Sequence, residues 1–308
     1  MKARLVLALV CAFGTMVASA APAAAVEPVV VVATDKPEVG PAASTTYLAW
    51  IVFGRHFHAN VWAEAIGSDA PFRVNPKGTT AFTGGIEGST FVYELSTQDQ
   101  KPDLVMVDLS TQTELDVPDG VNTDASEFSP SISGTYLLFG RGIPHGSSVV
   151  LFDTSTGTSQ VLYSKTNTDR RFFAILPIQV NGNYAVWQQS VFAKKRGQLI
   201  SGDVWLYDIT AATTTKIPSA EGVWQYGPSV DKAGTVYFGR SNFSCGENTE
   251  LIERQIDGTE SLLYTLPIGM DFGFSVAVDN ADGTTDVYFD QGSCSAPDFG
   301  DILKLPGV

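Results

Sequence analysis

The sequence predicts an all-β protein that folds as a single six-bladed β-propeller. Three observations lead to this prediction. Apolar residues alternate with polar ones in short runs along the chain after residue 25, as expected for half-buried strands. A unit of about 45 residues recurs six times, the length typical of a four-stranded propeller blade. Helical periodicity is almost absent.

Residues 1–25 read as an export signal that precedes the propeller, which spans 26–308. Lys2 and Arg4 form a basic start, a 13-residue apolar run follows from Leu5 to Val17, and small residues come after it. The run is shorter than the roughly 20 residues needed to cross a bilayer. We expect cleavage after Ala25, with Ala20 as the alternative, no membrane span, and a secreted protein.

The clearest copy of the repeat runs from Pro130 to Tyr163. It contains four short apolar runs, and Asp153-Thr-Ser-Thr-Gly157 joins the third to the fourth. Glycine adopts positive φ at little cost, so this segment suits a hairpin turn. The pattern predicts four antiparallel strands joined by turns.

The other copies align on an aromatic residue that we place at the end of each second strand: Trp50, Tyr93, Phe139, Trp187, Phe238 and Phe289. The third strands are predicted at Asn60–Glu64, Leu104–Asp108, Val149–Asp153, Val204–Asp208, Glu250–Arg254 and Asp301–Leu305. The sixth copy runs out after its third strand. We therefore expect Val29–Ala33 to supply its outer strand. Ring closure removes free sheet edges, and we expect a monomer.

Two blade openings resemble those of TolB-type propellers, whose blades begin with a short Pro-Ser-x-Ser-Pro-Asp-Gly pattern. They are Ser129-Pro130-Ser131 and Gly227-Pro228-Ser229. The Asp-Gly part is degraded in most copies, and the domain that precedes the propeller in TolB has no counterpart here. The resemblance implies the fold and not the envelope role of TolB.

Cys245 and Cys294 are predicted to form a disulfide. Both fall between the second and third strands, in blades five and six, and these connections are neighbours on one face of a propeller. An even cysteine pair in an exported chain favours a bond.

The charge of the chain argues against nucleic acid as a partner. The formal charge of −14 becomes −16 without Lys2 and Arg4, whereas nucleic-acid binding depends mainly on cations. The sequence also contains no phosphate loop, nucleophile elbow or zinc-protease motif. We expect no cofactor.

Arginines and histidines near the second-to-third strand connections are the candidate ligand-binding residues. Arg141 and Arg240 end equivalent Phe-Gly-Arg segments and Arg55 ends a third. Guanidinium groups there could bind carboxylate or phosphate. The alternative is that they form ion pairs between blades, as often happens in repeats.

The histidines are candidates for binding a metal or a ligand. His56 and His58 would share a strand face and form a weak metal pair, and His145 is a candidate in the matching connection of blade three. Surface histidines without a ligand are the alternative.

The loop-rich face, which carries the second-to-third strand connections, is the predicted binding surface. Its longest connection is predicted at Ser190–Gly202 and contains Lys194, Lys195 and Arg196. We expect a non-catalytic binding or scaffold propeller that engages a protein or glycan partner. The alternative is an extracellular hydrolase or lyase at the channel mouth, using His56, His58 or His145 with Arg141 or Arg240.

Overall fold

The computed structural model describes residues 26–54, 58–97, 100–195, 197–242, 246–293 and 299–308. These residues form 24 β-strands in six four-stranded antiparallel sheets, and no helix occurs among them. It follows that no helix in the described ranges could cross a membrane. The predicted six-bladed β-propeller is confirmed.

The blades follow one another along the chain, and each runs from an inner to an outer strand. Blades one to three comprise β2 (Glu38–Ala43), β3 (Tyr47–Phe53), β4 (Ala59–Ala65), β5 (Phe72–Arg73), β6 (Thr80–Glu87), β7 (Thr90–Thr97), β8 (Gln100–Asp108), β9 (Thr113–Leu115), β10 (Glu127–Ser133), β11 (Tyr136–Ile143), β12 (Gly146–Asp153) and β13 (Thr158–Thr166). Blades four to six comprise β14 (Arg171–Asn181), β15 (Tyr184–Ala193), β16 (Leu199–Asp208), β17 (Thr213–Lys216), β18 (Trp224–Val230), β19 (Val236–Ser241), β20 (Glu250–Arg254), β21 (Glu260–Thr265), β22 (Met270–Asp279), β23 (Thr285–Ser293), β24 (Phe299–Leu305) and β1 (Val29–Val32).

The first strand of the chain closes the ring, as predicted. β1 pairs antiparallel with β24, with Val29 opposite Lys304 and Val30 opposite Leu303. Val32 is buried in a cluster that also contains Ile302 of blade six and Trp50 of blade one. This strand therefore completes one blade and helps to pack it against the next.

Each pair of consecutive blades shares an apolar cluster. Six clusters combine residues of blades one and two, two and three, three and four, four and five, five and six, and six and one. A seventh, smaller cluster packs Val39, Ile51 and Ala59 of blade one against Phe82 of blade two. All six repeated aromatic residues are buried, none more than 3% exposed. The repeated aromatic is therefore the packing residue between blades.

One detail of the alignment is wrong: the aromatic does not end the second strand. The strands continue three to six residues beyond it, as β15 does from Trp187 to Ala193. Backbone pairing with the first and third strands carries the second strand further. The alternation of apolar and polar residues ends where the strand leaves the core, so it does not predict the full length of the strand.

The long connection predicted at Ser190–Gly202 is wrong for the same reason. Ser190 and Gly202 are paired residues of β15 and β16, and the ladder continues to Phe192 opposite Leu199. Blade three likewise has a two-residue turn, Pro144-His145, between its second and third strands. We call this side of the ring, which carries the second-to-third strand connections, the upper face.

We predict that Val32→Thr will lower the free energy of unfolding by about 1–2 kcal/mol. The substitution keeps the shape of the side chain but buries a hydroxyl between blades six and one. Val29→Thr is the control, because Val29 lies on the same strand and is 55% exposed, and it should cost less than about 0.5 kcal/mol. Urea unfolding of both variants measures the difference. Equal costs would contradict the proposed role of β1 in closing the ring.

Candidate functional site

A cavity of about 450 Å³ lies on the propeller axis toward the upper face. All six innermost strands contribute to its wall. Its surface is mainly apolar, with the side chains of Phe82, Phe128, Pro130, Leu176 and Phe274 among those that line it. A smaller space of about 110 Å³ occupies the opposite end of the axis. The upper cavity is thus the larger opening for a ligand.

The wall of the cavity is shaped by a bulge that recurs in every innermost strand. The pairing register between first and second strands shifts at the same place in all six blades. In four blades this place holds a proline: Pro41, Pro130, Pro177 and Pro228. Proline has no N–H to donate, and it is tolerated in strands at bulges and free edges. These prolines recur in the sequence repeat, but the repeat did not predict the bulge.

The bulges alternate in conformation around the ring. The residue before the proline has positive φ in blades one, three and five, at Gly40 (61°), Ser129 (51°) and Gly227 (61°). The corresponding residues of blades two, four and six do not have positive φ. The backbone N–H of each positive-φ residue points out of its own sheet ladder and needs a separate acceptor.

The preceding blade supplies each acceptor from the position directly after the repeated aromatic. Glu94 Oε2 accepts from the Ser129 N–H at 3.3 Å, Gln188 Oε1 from the Gly227 N–H at 2.9 Å, and Asp290 Oδ2 from the Gly40 N–H at 3.2 Å. Blades two, four and six therefore each accept a hydrogen bond from the bulge of the next blade.

Glu94 differs from the other two acceptors because its carboxyl also lines the cavity. It is the one titratable side chain in the described lining. Burial raises its pKa to about 7, and the hydrogen bond from Ser129 offsets part of this effect. The carboxyl is therefore divided between its protonated and ionised forms near neutral pH, inside an apolar wall.

Asp290 is the most deeply buried of the three acceptors and has a structural role. Besides the Gly40 N–H, it accepts the backbone N–H of Phe274 in its own blade. Burial raises its pKa to about 6, while both backbone hydrogen bonds lower it. Its bonds join blade six to blade one next to the ring closure.

The guanidinium of Arg141 is engaged within the scaffold. Its Nε lies 2.8 Å from Oε1 of the fully buried Glu127, the opposite residue on β10. One terminal nitrogen donates to the carbonyl oxygens of Gly120 (3.1 Å) and Val121 (2.6 Å), which precede blade three. The geometry therefore favours the structural interpretation, with an acid of the same blade and not of the neighbour.

Arg240 is engaged in a similar way in blade five. It lies 2.9 Å from Glu250 and 2.9 Å from Glu260, and Glu260 also pairs with Arg254 at 2.9 Å. Neither Arg240 nor Arg141 lines the axial cavity. Arg55 lies outside the described residues.

The described histidines lie apart from the cavity wall. His145 occupies the exposed turn of blade three with φ of 61°, and His58 is hydrogen bonded through Nδ1 to Thr80 Oγ1 at 3.2 Å. His56 lies outside the described residues, and the metal pair stays a prediction. No group of three or more potential metal ligands occurs among the residues that the structure describes. Cys245 and Cys294 also lie outside them, and their disulfide stays a prediction.

We predict that Glu94→Gln will stabilise the protein above neutral pH. Glutamine keeps an oxygen acceptor for Ser129, as Gln188 does for Gly227, and removes the buried charge. The folded pKa of Glu94 lies above its ordinary value of 4.5, so wild-type stability falls as pH rises from about 4.5 to about 7. The variant should gain up to about 3 kcal/mol across this window and keep that gain above it.

Urea unfolding at several pH values measures this gap. Glu87→Gln, at the exposed end of β6 in the same blade, makes the same change in net charge and is the control. A constant gap between wild type and Glu94→Gln at all pH values would contradict the burial of the Glu94 charge.

Comparison with known proteins identifies the fold. No family model and no curated protein matches the chain. The putative TolB from Agrobacterium tumefaciens is 12% identical with a TM-score of 0.57, and the match covers 89% of this chain and 92% of that one. TolB from Acinetobacter baumannii is 14% identical with a TM-score of 0.51, and the match covers 85% of this chain but 64% of that one, less than two thirds.

A third solved structure extends the comparison beyond TolB. The β-propeller domain of the Trilobed protease from Pyrococcus furiosus is 11% identical with a TM-score of 0.52, and the match covers 89% of this chain and 96% of that one. At these identities the likeness establishes the fold alone. The chain folds as a TolB-like six-bladed β-propeller.

Proposed function

We propose that this protein is an exported, non-catalytic binding module that holds its partner against the upper face, with one group of the partner in the axial cavity. The observation that carries the proposal is the cavity itself: about 450 Å³, mainly apolar, with the carboxyl of Glu94 in its wall. Concave apolar sites with a few placed polar groups are typical ligand sites. The export signal predicted at residues 1–25 supports an extracellular or envelope location.

The cavity favours a group that is apolar and carries a hydrogen-bond donor. Its aromatic and aliphatic walls favour apolar surface, and the Glu94 carboxylate accepts hydrogen bonds when ionised. A ligand carboxylate would meet the negative charge of Glu94 without a cation in the described lining. The ligand group is therefore neutral or cationic.

The enzymatic alternative retains one observation in its favour. A carboxyl with a pKa of about 7 is suited to general acid or base catalysis near neutral pH. Catalysis of hydrolysis or elimination also needs further polar groups at the reacting atoms. The described lining supplies Glu94 alone as a titratable group, and Arg141 and Arg240 are held in ion pairs outside the cavity. A binding role is therefore the better supported of the two.

Three small molecules with one phenyl ring each test the cavity by saturation-transfer NMR. We expect 2-phenylethylamine and 2-phenylethanol to bind and phenylacetate to bind much more weakly at pH 8, because Glu94 is then largely ionised. Glu94→Gln should reduce this discrimination. The proposal requires that these compounds bind and does not require that the protein convert them.

Leu176→Trp locates the binding. Leu176 lines the cavity and is 41% exposed, so a larger side chain should narrow the opening without entering the core. Ile268→Trp is the control, since Ile268 is 71% exposed and outside the cavity lining. Fragment signals that persist unchanged in Leu176→Trp would contradict the cavity as the binding site.

A further inference from the structure

Blade four has long first, second and third strands. Its strands β14, β15 and β16 contain 11, 10 and 10 residues. β15 continues six residues beyond its repeated aromatic, whereas the second strands of the other blades continue three or four.

The upper end of blade four is cationic. We define the blade-four crest as Arg170, Arg171, Phe172, Phe192, Lys194 and Lys195. Its four basic side chains are exposed, and none forms an ion pair with another described residue. The Lys194 N–H donates to the Arg170 carbonyl oxygen at 2.9 Å, so the two basic pairs are held side by side. This charge stands out in a chain with a formal charge of −14.

Two aromatic rings lie next to these cations. Phe172 is 46% exposed, and its ring centroid lies 6.0 Å from that of Phe192. Both rings line a shallow depression together with Asn167 and Lys194. Exposed aromatic rings bordered by charged groups are typical of interaction surfaces.

An apolar stripe connects the blade-four crest to the axial cavity. Alternate residues of a strand share a face, and Phe172, Ala174 and Leu176 of β14 lie on its accessible side while Phe173 and Ile175 are buried. Leu176 also lines the cavity. The distance from Phe172 to Leu176 along the strand is about 13 Å, so one extended ligand can reach both sites.

Polar side chains of the cavity wall are already committed to hydrogen bonds between blades. Thr83 donates to the Gly40 carbonyl oxygen (2.5 Å), Ser275 donates to the Gly227 carbonyl oxygen (2.6 Å), and Gln179 accepts the Val230 N–H (2.7 Å). A sugar ring would therefore lose water from its hydroxyls with few replacement partners. An apolar side chain has no such cost.

We propose that the blade-four crest and the axial cavity form one docking surface for an acidic polypeptide segment. An apolar or aromatic side chain of the segment occupies the cavity, and its Asp or Glu side chains pair with Arg170, Arg171, Lys194 and Lys195. A polypeptide carries both groups at the required separation. This inference rests on the proposed binding function and adds the chemistry of the partner.

The test is the affinity of a fluorescein-labelled peptide with one tryptophan flanked by Asp and Glu, measured by fluorescence anisotropy with the full mature chain. Lys194→Glu combined with Lys195→Glu should weaken binding at least about tenfold, because two attractive charges become repulsive. Phe172→Ala should weaken it severalfold, and added salt should weaken the wild-type complex. A peptide with lysine in place of each acid should not bind.

A matched control separates the crest from net charge. Lys36→Glu combined with Lys77→Glu makes the same charge change at exposed lysines next to blade one, across the ring, and should change affinity less than about twofold. Equal losses in the two double variants would overturn the crest as the docking site. Preferential binding of polygalacturonate or of anionic phospholipid vesicles through the same lysines would overturn the polypeptide as the ligand.

The experiment with phenyl compounds separates the proposed binding function from the inference about an acidic polypeptide. Phenyl compounds that bind in the cavity while the acidic peptide fails to bind would overturn this inference and leave the binding function standing. Failure of both would contradict the binding function itself.

Discussion

Burial of an apolar layer between each pair of consecutive blades is the interaction on which the rest of the structure depends. Seven clusters divide the core of the described residues, and each draws its residues from two neighbouring blades. A four-stranded sheet with apolar residues on both faces cannot shield them alone, so each blade needs two neighbours. The last blade meets this need through the first one, where Val32, Trp50 and Ile302 share a cluster. Closure of the ring then creates the axis and its cavity.

The crowding of six strands at the axis explains the polar groups found there. The bulges in the innermost strands turn backbone N–H groups away from the sheet ladder, and a buried N–H without an acceptor is costly. Glu94, Gln188 and Asp290 meet this requirement in alternate blades. Two of the three acceptors are acids, and burial raises the pKa of each. The carboxyl of Glu94 also lines the axial cavity, so a group that the scaffold requires is available to a ligand.

The sequence reveals the blades better than it reveals the site, for a physical reason. Alternating apolar runs and the repeated aromatics reflect local contacts between strands, and counting strands was enough to place β1 beside β24. Glu94 gave no signal by itself, because Ser129 is 35 residues away and is brought to it by the packing of two blades. Its position directly after the aromatic, shared with Gln188 and Asp290, was the available clue. Arg141 is the opposite case. Its charge and its recurrence in the repeat suggested a ligand-binding role, but it forms an ion pair with Glu127.

Screening by salt resolves an apparent conflict between an acidic chain and an acidic partner. A formal charge of −14 repels an anionic segment, but at physiological salt this repulsion is screened over about 8 Å. The four basic side chains of the blade-four crest are exposed, and an ion pair forms within about 4 Å, well inside that screening length. An approaching acid therefore meets the four cations of the crest at short range while much of the charge of the ring is screened. The exposure of these cations therefore matters more for docking than the net charge of the chain.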